Sequence, residues 1–322
     1  MLNPLKRVLI AARRRFVHSR LQASLVTWMA QTGEGADECL KQGSLPLPVH
    51  FYSPVPDLED LKERKVWDVR SELRGIDFRP DAQAAYLLRL GEEYGRECAW
   101  PARPNRDGSG FFTENNYFSF GCAAAAHCII RDHGPRRLIE VGSGNSSMII
   151  SAALDMNEAD GAPAAMYTVI DPYPSERLET LPGTRPKVIA ERVELSDPSL
   201  FEQLERGDVL FIDSGHVVRI GGDVNFLFLD ILPRLQPGVI VHFHDIDLPY
   251  EYPEVYLTNP LRMIWTESYL LQAFLSCNSE FEVLLGMKYL MLDRPDAFRE
   301  AFPAYDPARH TSVSGSFWIA RR

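Results

Sequence analysis

The chain has 322 residues, 45% of them hydrophobic, and a formal net charge of -10 at pH 7. That length calls for one large domain with an appendage, and the acidic balance argues against a protein whose main work is to neutralise nucleic-acid phosphates. Five scattered cysteines (Cys39, Cys98, Cys122, Cys128, Cys277) with no CxxC pair indicate neither a disulfide framework nor a cysteine zinc site, so a reducing, cytoplasmic setting is expected, without a secretory leader or a membrane span.

The first 33 residues carry Lys6, Arg7, Arg13, Arg14, Arg15 and Arg20 and no acid, while Leu5, Val8, Leu9, Phe16, Leu21, Leu25, Val26 and Trp28 recur at roughly helical spacing. A basic amphipathic helix over 1–33 is expected, packing on its own domain or on a second subunit; docking on an anionic membrane is the alternative. Residues 34–104 read as an N-terminal module and linker. Within them SLPLPVHFYSPVPD (44–57) holds Pro46, Pro48, Pro54 and Pro56, which forbid a continuous helix. DAQAAYLLRLGEEYGREC, from Asp81, reads as a helix.

The large domain is placed at 105–322. PARPNRDGSG is a loop by composition, and FSFGCAAAAHCIIRDHG is an alanine-rich helix ended by glycine. Apolar runs then alternate with helical segments: RRLIEV, SSMIISAALDM, MYTVID, KVIAERV, SLFEQLE, DVLFID, DVNFLFLDILPRL, VIVHFHD, RMIWTESYLLQAFL, FEVLLG. Strands apolar on both faces and separated by helices indicate an α/β fold, a mostly parallel, doubly wound sheet. Ligands of such sheets bind at the carboxyl ends of the strands, where the strand order reverses.

At one such end stands LIEVGSGNSS. Gly142 and Gly144 can adopt backbone angles closed to other residues and let a ligand approach the main chain. The third glycine of a dinucleotide fingerprint is absent, which weakens a pyrophosphate role. Asp171, closing the next strand, can accept both ribose hydroxyls of either NAD or S-adenosylmethionine.

With DVLFIDSGH and VIVHFHDID added, the sequence resembles the class I S-adenosylmethionine-dependent methyltransferases in order over roughly residues 111–322, most closely the group of macrocin O-methyltransferases and, more distantly, catechol O-methyltransferase. The resemblance implies a seven-stranded Rossmann-like sheet whose last strand, SFWIAR, is antiparallel. It implies cofactor contacts at Glu140, Gly142, Gly144, Ser146, Asp171 and Asp213. It also sets Asp213 and His216 at the fourth-strand motif and His244 and Asp245 at the fifth, where metal-dependent members carry acids or amides. Magnesium prefers oxygen ligands and imidazole suits softer ions, so either a metal on Asp213, His244 and Asp245 is softer than magnesium, or only Asp213 and Asp245 bind one, or no metal is used.

Methyl transfer needs an aligned acceptor stripped of its proton. His216 is the candidate base; a loop histidine that caps a helix or is solvated is the plainer alternative. His242 is expected to be structural, FFTENNYFSF (111–120) either closes over a ligand or forms a packed aromatic turn, and the WTESY run (265–269) is assigned no chemistry. The expected function is therefore O-methylation of a small hydroxylated molecule or sugar, with self-association of the chain and no nucleic-acid partner. A nicotinamide-dependent oxidoreductase and a non-catalytic nucleotide-binding module are the alternatives.

Overall fold

The structure, a computed structural model, describes residues 19–105 and 110–322. Lys6, Arg7, Arg13, Arg14 and Arg15 of the expected N-terminal helix, and residues 106–109 of the expected loop, lie outside the described residues. The chain divides into two compact units, the first running through Asp68 and including Glu254–Ile264, the second comprising Val69–Pro253 and Trp265–Arg322.

The first unit is helical from 19 to 32 and again at Ala36–Lys41, Leu58–Glu63 and Glu254–Thr258. Asp57 caps Leu58–Glu63 by accepting from the N–H groups of Glu59 (3.0 Å) and Asp60 (3.3 Å), which satisfies donors that the first helical turn leaves over. The proline-rich 44–57 stretch holds neither helix nor strand, as its composition requires. Among the described residues of this unit none is buried, so it has no core of its own there.

The second unit is built on a sheet of seven strands: β1 (Arg137–Val141), β2 (Met166–Ile170), β3 (Lys187–Ile189), β4 (Val209–Ile212), β5 (Ile240–Phe243), β6 (Phe281–Gly286) and β7 (Phe317–Arg321). Their order is β3-β2-β1-β4-β5-β7-β6. The first five are parallel, and β7 runs antiparallel between β5 and β6. This is the doubly wound α/β architecture expected from the alternating pattern, with the antiparallel strand falling on SFWIAR. Successive strand residues feed opposite faces: Leu138, Val209 and Phe211 join one buried cluster, Ile139, Leu210 and Ile212 the other. Helices cover both, which is why these strands are apolar throughout.

On one face Phe120–His133 lies against Asn145–Ala159. Ala123, Ala124, Ala125 and Ala126 are all fully buried in that helix, small side chains that permit close packing on every side. The sequence draws the boundary of the large domain at 105, whereas the compact unit begins at Val69. The helix Pro80–Tyr94 explains the difference. A Cβ on its Gly91 would lie 2.3 Å from the Ala301 Cα, and one on Gly95 2.0 Å from the Ala301 carbonyl oxygen, so the backbones of Pro80–Tyr94 and Pro295–Ala301 touch. Glu97 then accepts from His127 (2.7 Å) and Arg131 (2.9 Å), tying the end of this segment to the alanine-rich helix. Among the described residues no helix is long and apolar enough to cross a membrane.

Candidate functional site

Strand register assembles the site. Val141 pairs with both Ile170 and Ile212, and Ile212 pairs with Phe243, so the four strands end level. The next residues, Gly142, Asp171, Asp213 and His244, therefore stand in a row along the carboxyl edge, with the reversal of strand order between β1 and β4 in the middle.

Gly142 has φ +89°, and a Cβ there would sit 2.1 Å from the Asp213 carbonyl oxygen. Only glycine fits. Its N–H donates to the Ile170 carbonyl (3.0 Å), and the Asp213 N–H donates to the Val141 carbonyl (2.9 Å), locking the ends of β1, β2 and β4 together. Beneath the turn the Glu140 carboxylate accepts from the hydroxyls of Ser146 (2.6 Å), Ser147 (2.8 Å) and Tyr167. Burial pushes the Glu140 carboxyl up to about 7, against the pull of those three donors. Glu140 and Ser146 thus hold the turn from below, and neither lines the cavity above it.

That cavity, of about 540 Å³, is walled by Gly142, Ser143, Asp171, Tyr173, Arg192, Glu194, Asp213 and Asp223 among others, a size suited to a nucleoside-sized ligand. Asp171 accepts from the Ser143 hydroxyl (2.6 Å) and from the Tyr173 N–H (2.8 Å). Gly144 precedes the first turn of Asn145–Ala159, and a Cβ on it would meet no atom of the chain within 4 Å. A second cleft, about 570 Å³, opens at the opposite edge of the sheet beside Gly238 and Ile240. Its Arg79 and Arg322 are already paired with Glu282, and none of the sequence-predicted site residues lines it.

Beside the first cavity lies a cluster of acids and imidazoles. Asp213 Oδ1 is 3.3 Å from His244 Nδ1 and 3.5 Å from His216 Nε2. Asp245 Oδ2 makes the same two approaches, 3.3 Å to His244 Nδ1 and 3.5 Å to His216 Nε2. His216 and Asp245 both sit at positive φ, +56° and +54°, a conformation uncommon outside glycine that turns both side chains inward. On its far side His216 Nδ1 meets Glu267 Oε2 at 2.8 Å, and that carboxylate side chain is only 1% exposed. The Cys122 thiol, hydrogen-bonded to the Ser314 hydroxyl at 3.0 Å, is held low by the nearby His244 against its burial, and Phe118 and Trp265 pack on His244 and His216 with ring centroids 5.3 Å and 4.6 Å away.

The electrostatics follow from this crowding. Burial alone would raise the Asp213 carboxyl, yet the flanking His244 and His216 hold it far below the usual carboxylate range. Burial opposes charge on His216 too, but Asp213, Glu267 and Asp245 raise it to about 10. His244 is likewise raised, by Asp245 and Asp213 against its burial. Two carboxylates facing two imidazoles hold either protons on the rings or a divalent cation with both rings neutral.

All of the sequence-predicted positions lie at this edge. Gly142, Asp171 and Asp213 line the cavity, and Asp213, His216, His244 and Asp245 form the cluster. His242 is a packed core histidine, as expected: it stacks on Phe211 at 3.7 Å, bonds the Ser316 hydroxyl at 2.7 Å, and burial keeps it neutral. In the 111–120 stretch Asn115 closes a turn by accepting from the N–H groups of Tyr117 (3.0 Å) and Phe118 (2.7 Å). Sequence reasoning passed over Ser143, Cys122 and Glu267. An acid inside the otherwise apolar run RMIWTESYLLQAFL was the available signal for Glu267, because a buried carboxylate needs a partner.

Residues 139–246, from β1 to just beyond β5, match the family model of a methyltransferase domain. An uncharacterised protein of Archaeoglobus fulgidus is 32% identical over 180 residues, 54% of this chain and 79% of that relative. Among solved structures, the O-methyltransferase TomG of Streptomyces achromogenes, in complex with S-adenosylmethionine, is 16% identical with a TM-score of 0.37, covering 73% of this chain and 88% of that one. The Podospora anserina methyltransferase PaMTH1, bound to S-adenosylhomocysteine, is 16% identical with a TM-score of 0.39, covering 84% of this chain and 99% of that one.

Proposed function

The chain belongs to the class I S-adenosylmethionine-dependent methyltransferase family, and on that premise we propose that it transfers the cofactor's methyl group to a hydroxyl of a small hydroxylated molecule or sugar. One observation carries this: Asp213 is both a wall of the 540 Å³ cavity and a member of the imidazole and carboxylate cluster. A cofactor held in the first therefore faces an acceptor held at the second.

S-adenosylmethionine supplies an activated methyl group on a sulfonium. The chain's part is to hold and to align. Asp171, pre-oriented by Ser143 and the Tyr173 N–H, offers its carboxylate to the ribose hydroxyls. Gly142 brings bare backbone to the cavity wall, and the N–H groups opening Asn145–Ala159 present a weakly positive helix end. At the cluster, Asp213 and Asp245 accept from the acceptor hydroxyl, and His216 in its neutral form takes the hydroxyl proton as general base. Alignment beside the methyl donor and removal of that proton together supply the rate.

Calorimetric titration with S-adenosylmethionine, its demethylated product and NAD tests the cofactor, and methyl transfer to a panel of vicinal diols, phenols and sugars tests the acceptor. Binding of the first two ligands with transfer to a hydroxyl is expected. Tight NAD binding with none by S-adenosylmethionine overturns the proposal.

A further inference from the structure

The cleft at the amino edge of the sheet lies within the second unit and shares no lining residue with the cofactor cavity at the carboxyl edge. Its walls are partly apolar, with Ala82, Ile240, Leu284 and Ala320 among them, and it is lined by four arginines, Arg79, Arg206, Arg321 and Arg322, against the single carboxylate of Glu282. In a chain with 44 acids and 34 lysines and arginines, such an excess of positive charge in one hollow runs against the overall composition. His133 lines the cleft too, but burial lowers its pKa and leaves the ring neutral.

The backbone brings these side chains together. The Gly207 N–H donates to the Gly238 carbonyl (2.9 Å) and the Gly238 N–H to the Arg321 carbonyl (2.7 Å), which joins the segments entering β4 and β5 to the end of β7. Gly238 has φ +93°, and a Cβ on it would lie 2.7 Å from Arg206 Cγ and 3.0 Å from Arg206 Cζ, so the Arg206 side chain rests on bare backbone. Arg79 takes φ +53° directly before the helix Pro80–Tyr94.

We propose that this cleft binds a small organic anion, a carboxylate or phosphate ester with an apolar body, at a site separate from those of the cofactor and the acceptor. The pairing of the arginines supports it. Arg79 and Arg322 share Glu282, the latter at 3.6 Å, Arg322 also reaches Asp77 at 3.7 Å, and Arg321 pairs with Glu280 at 2.7 Å. Arg206 has no ion-pair or hydrogen-bond partner among the described residues. Each guanidinium carries five N–H donors, and pairs with the largely exposed Asp77 and Glu280 are screened by solvent and worth little, so donors remain for a ligand. The planar guanidinium fork matches a carboxylate or a phosphate through two parallel hydrogen bonds, and the apolar walls suit the rest of such a molecule. The cavity of about 570 Å³ is of the size that small molecules occupy, and its concave form favours one over an acidic protein surface.

Calorimetric titration of the full chain with 1-naphthyl phosphate and 2-naphthoate, and with 2-naphthamide as their neutral counterpart, tests the proposal. Saturable binding of one naphthyl anion per chain is expected, weakened by added salt, with 2-naphthamide bound at least about 10-fold more weakly; the tighter of the two anions identifies the head group. Arg206→Gln removes an exposed side chain that has no partner to lose, and it should weaken anion binding about 10-fold or more, the scale of a hydrogen bond to a charged group. Ala82→Trp, at an exposed position of Pro80–Tyr94, fills the cleft and should abolish binding. Both variants should keep the wild-type response to S-adenosylmethionine, so the test does not depend on the methyltransferase reading. Wild-type protein that binds neither anion, or that binds 2-naphthamide as tightly, overturns the proposal. Folded Arg206→Gln and Ala82→Trp proteins with full anion affinity overturn it as well, as does displacement of the probe by S-adenosylmethionine, which places the probe in the cofactor cavity. Binding of poly-glutamate with no binding of either naphthyl anion overturns it in favour of an acidic protein partner.

Discussion

The two glycines of the turn should respond in opposite ways to alanine. At Gly142 the new Cβ falls 2.1 Å from the Asp213 carbonyl oxygen, far inside the roughly 3.5 Å of an ordinary contact, and the backbone is at φ +89°. An L side chain in such a conformation costs about 1–2 kcal/mol, and forcing β1 and β4 apart adds about 1–3 kcal/mol of overpacking. A loss centred near 3 kcal/mol lowers the melting temperature by roughly 6–12 °C in a unit of this size. At Gly144 the Cβ meets nothing within 4 Å. Alanine there should cost no more than about 1 kcal/mol, the loss of a tolerated cap residue, while crowding the space the cofactor needs. Melting scans and calorimetric titration with S-adenosylmethionine read both effects. Gly142→Ala should be strongly destabilised; Gly144→Ala should melt within a few degrees of wild type but bind cofactor at least about 10-fold more weakly, about 1.4 kcal/mol. A Gly142→Ala protein with unchanged melting temperature, or a Gly144→Ala protein with unchanged affinity, would refute the division of labour between them.

Asp171→Ala should weaken S-adenosylmethionine binding by about 1.5–3 kcal/mol, roughly 10- to 100-fold, as expected for charge-assisted hydrogen bonds, with little change in the melting of the free protein; unchanged affinity removes its ribose role. Glu140 has a folded-state pKa raised from 4.5 to about 7, so its contribution to stability is fully present below pH 4.5 and is lost as pH rises through 7. The difference of about 2.5 pH units corresponds to roughly 3 kcal/mol, and Glu140→Gln should flatten the stability curve across that window in denaturant titrations; a parallel curve contradicts the assignment. Deleting residues 1–33 should change the oligomeric state in light scattering, because Leu21, Leu25, Val26 and Trp28 are exposed on the 19–32 helix. Salt-sensitive flotation of the intact chain with anionic vesicles, lost on deletion, would favour membrane docking instead.

Much of this protein was legible in its residues taken in order. Apolar runs closing on Glu140, Asp171, Asp213 and Asp245 marked strand ends, since an acid that ends a buried strand must meet a ligand, a partner or solvent. The alternation of those runs with helical segments indicated the parallel sheet, and SFWIAR supplied its antiparallel strand. These are local signals, carried by side-chain periodicity and turn chemistry within a few residues. The domain boundary was not local: residues 69–104 look like a separate module until Gly91 and Gly95 are seen against Ala301, some 200 positions away. Nor was the division within the turn, where Glu140 and Ser146 bond each other from below while Gly142, Ser143 and Asp171 face the cavity. Glu267 is the sharpest case, because nothing near it in sequence pairs with it, and its role appears only when the fold sets it 2.8 Å from His216 across 51 positions. Hydrophobic pattern specifies which elements form and which face each buries; which polar atoms then meet depends on strand register and on close backbone contacts, and those exist only once the sheet is assembled.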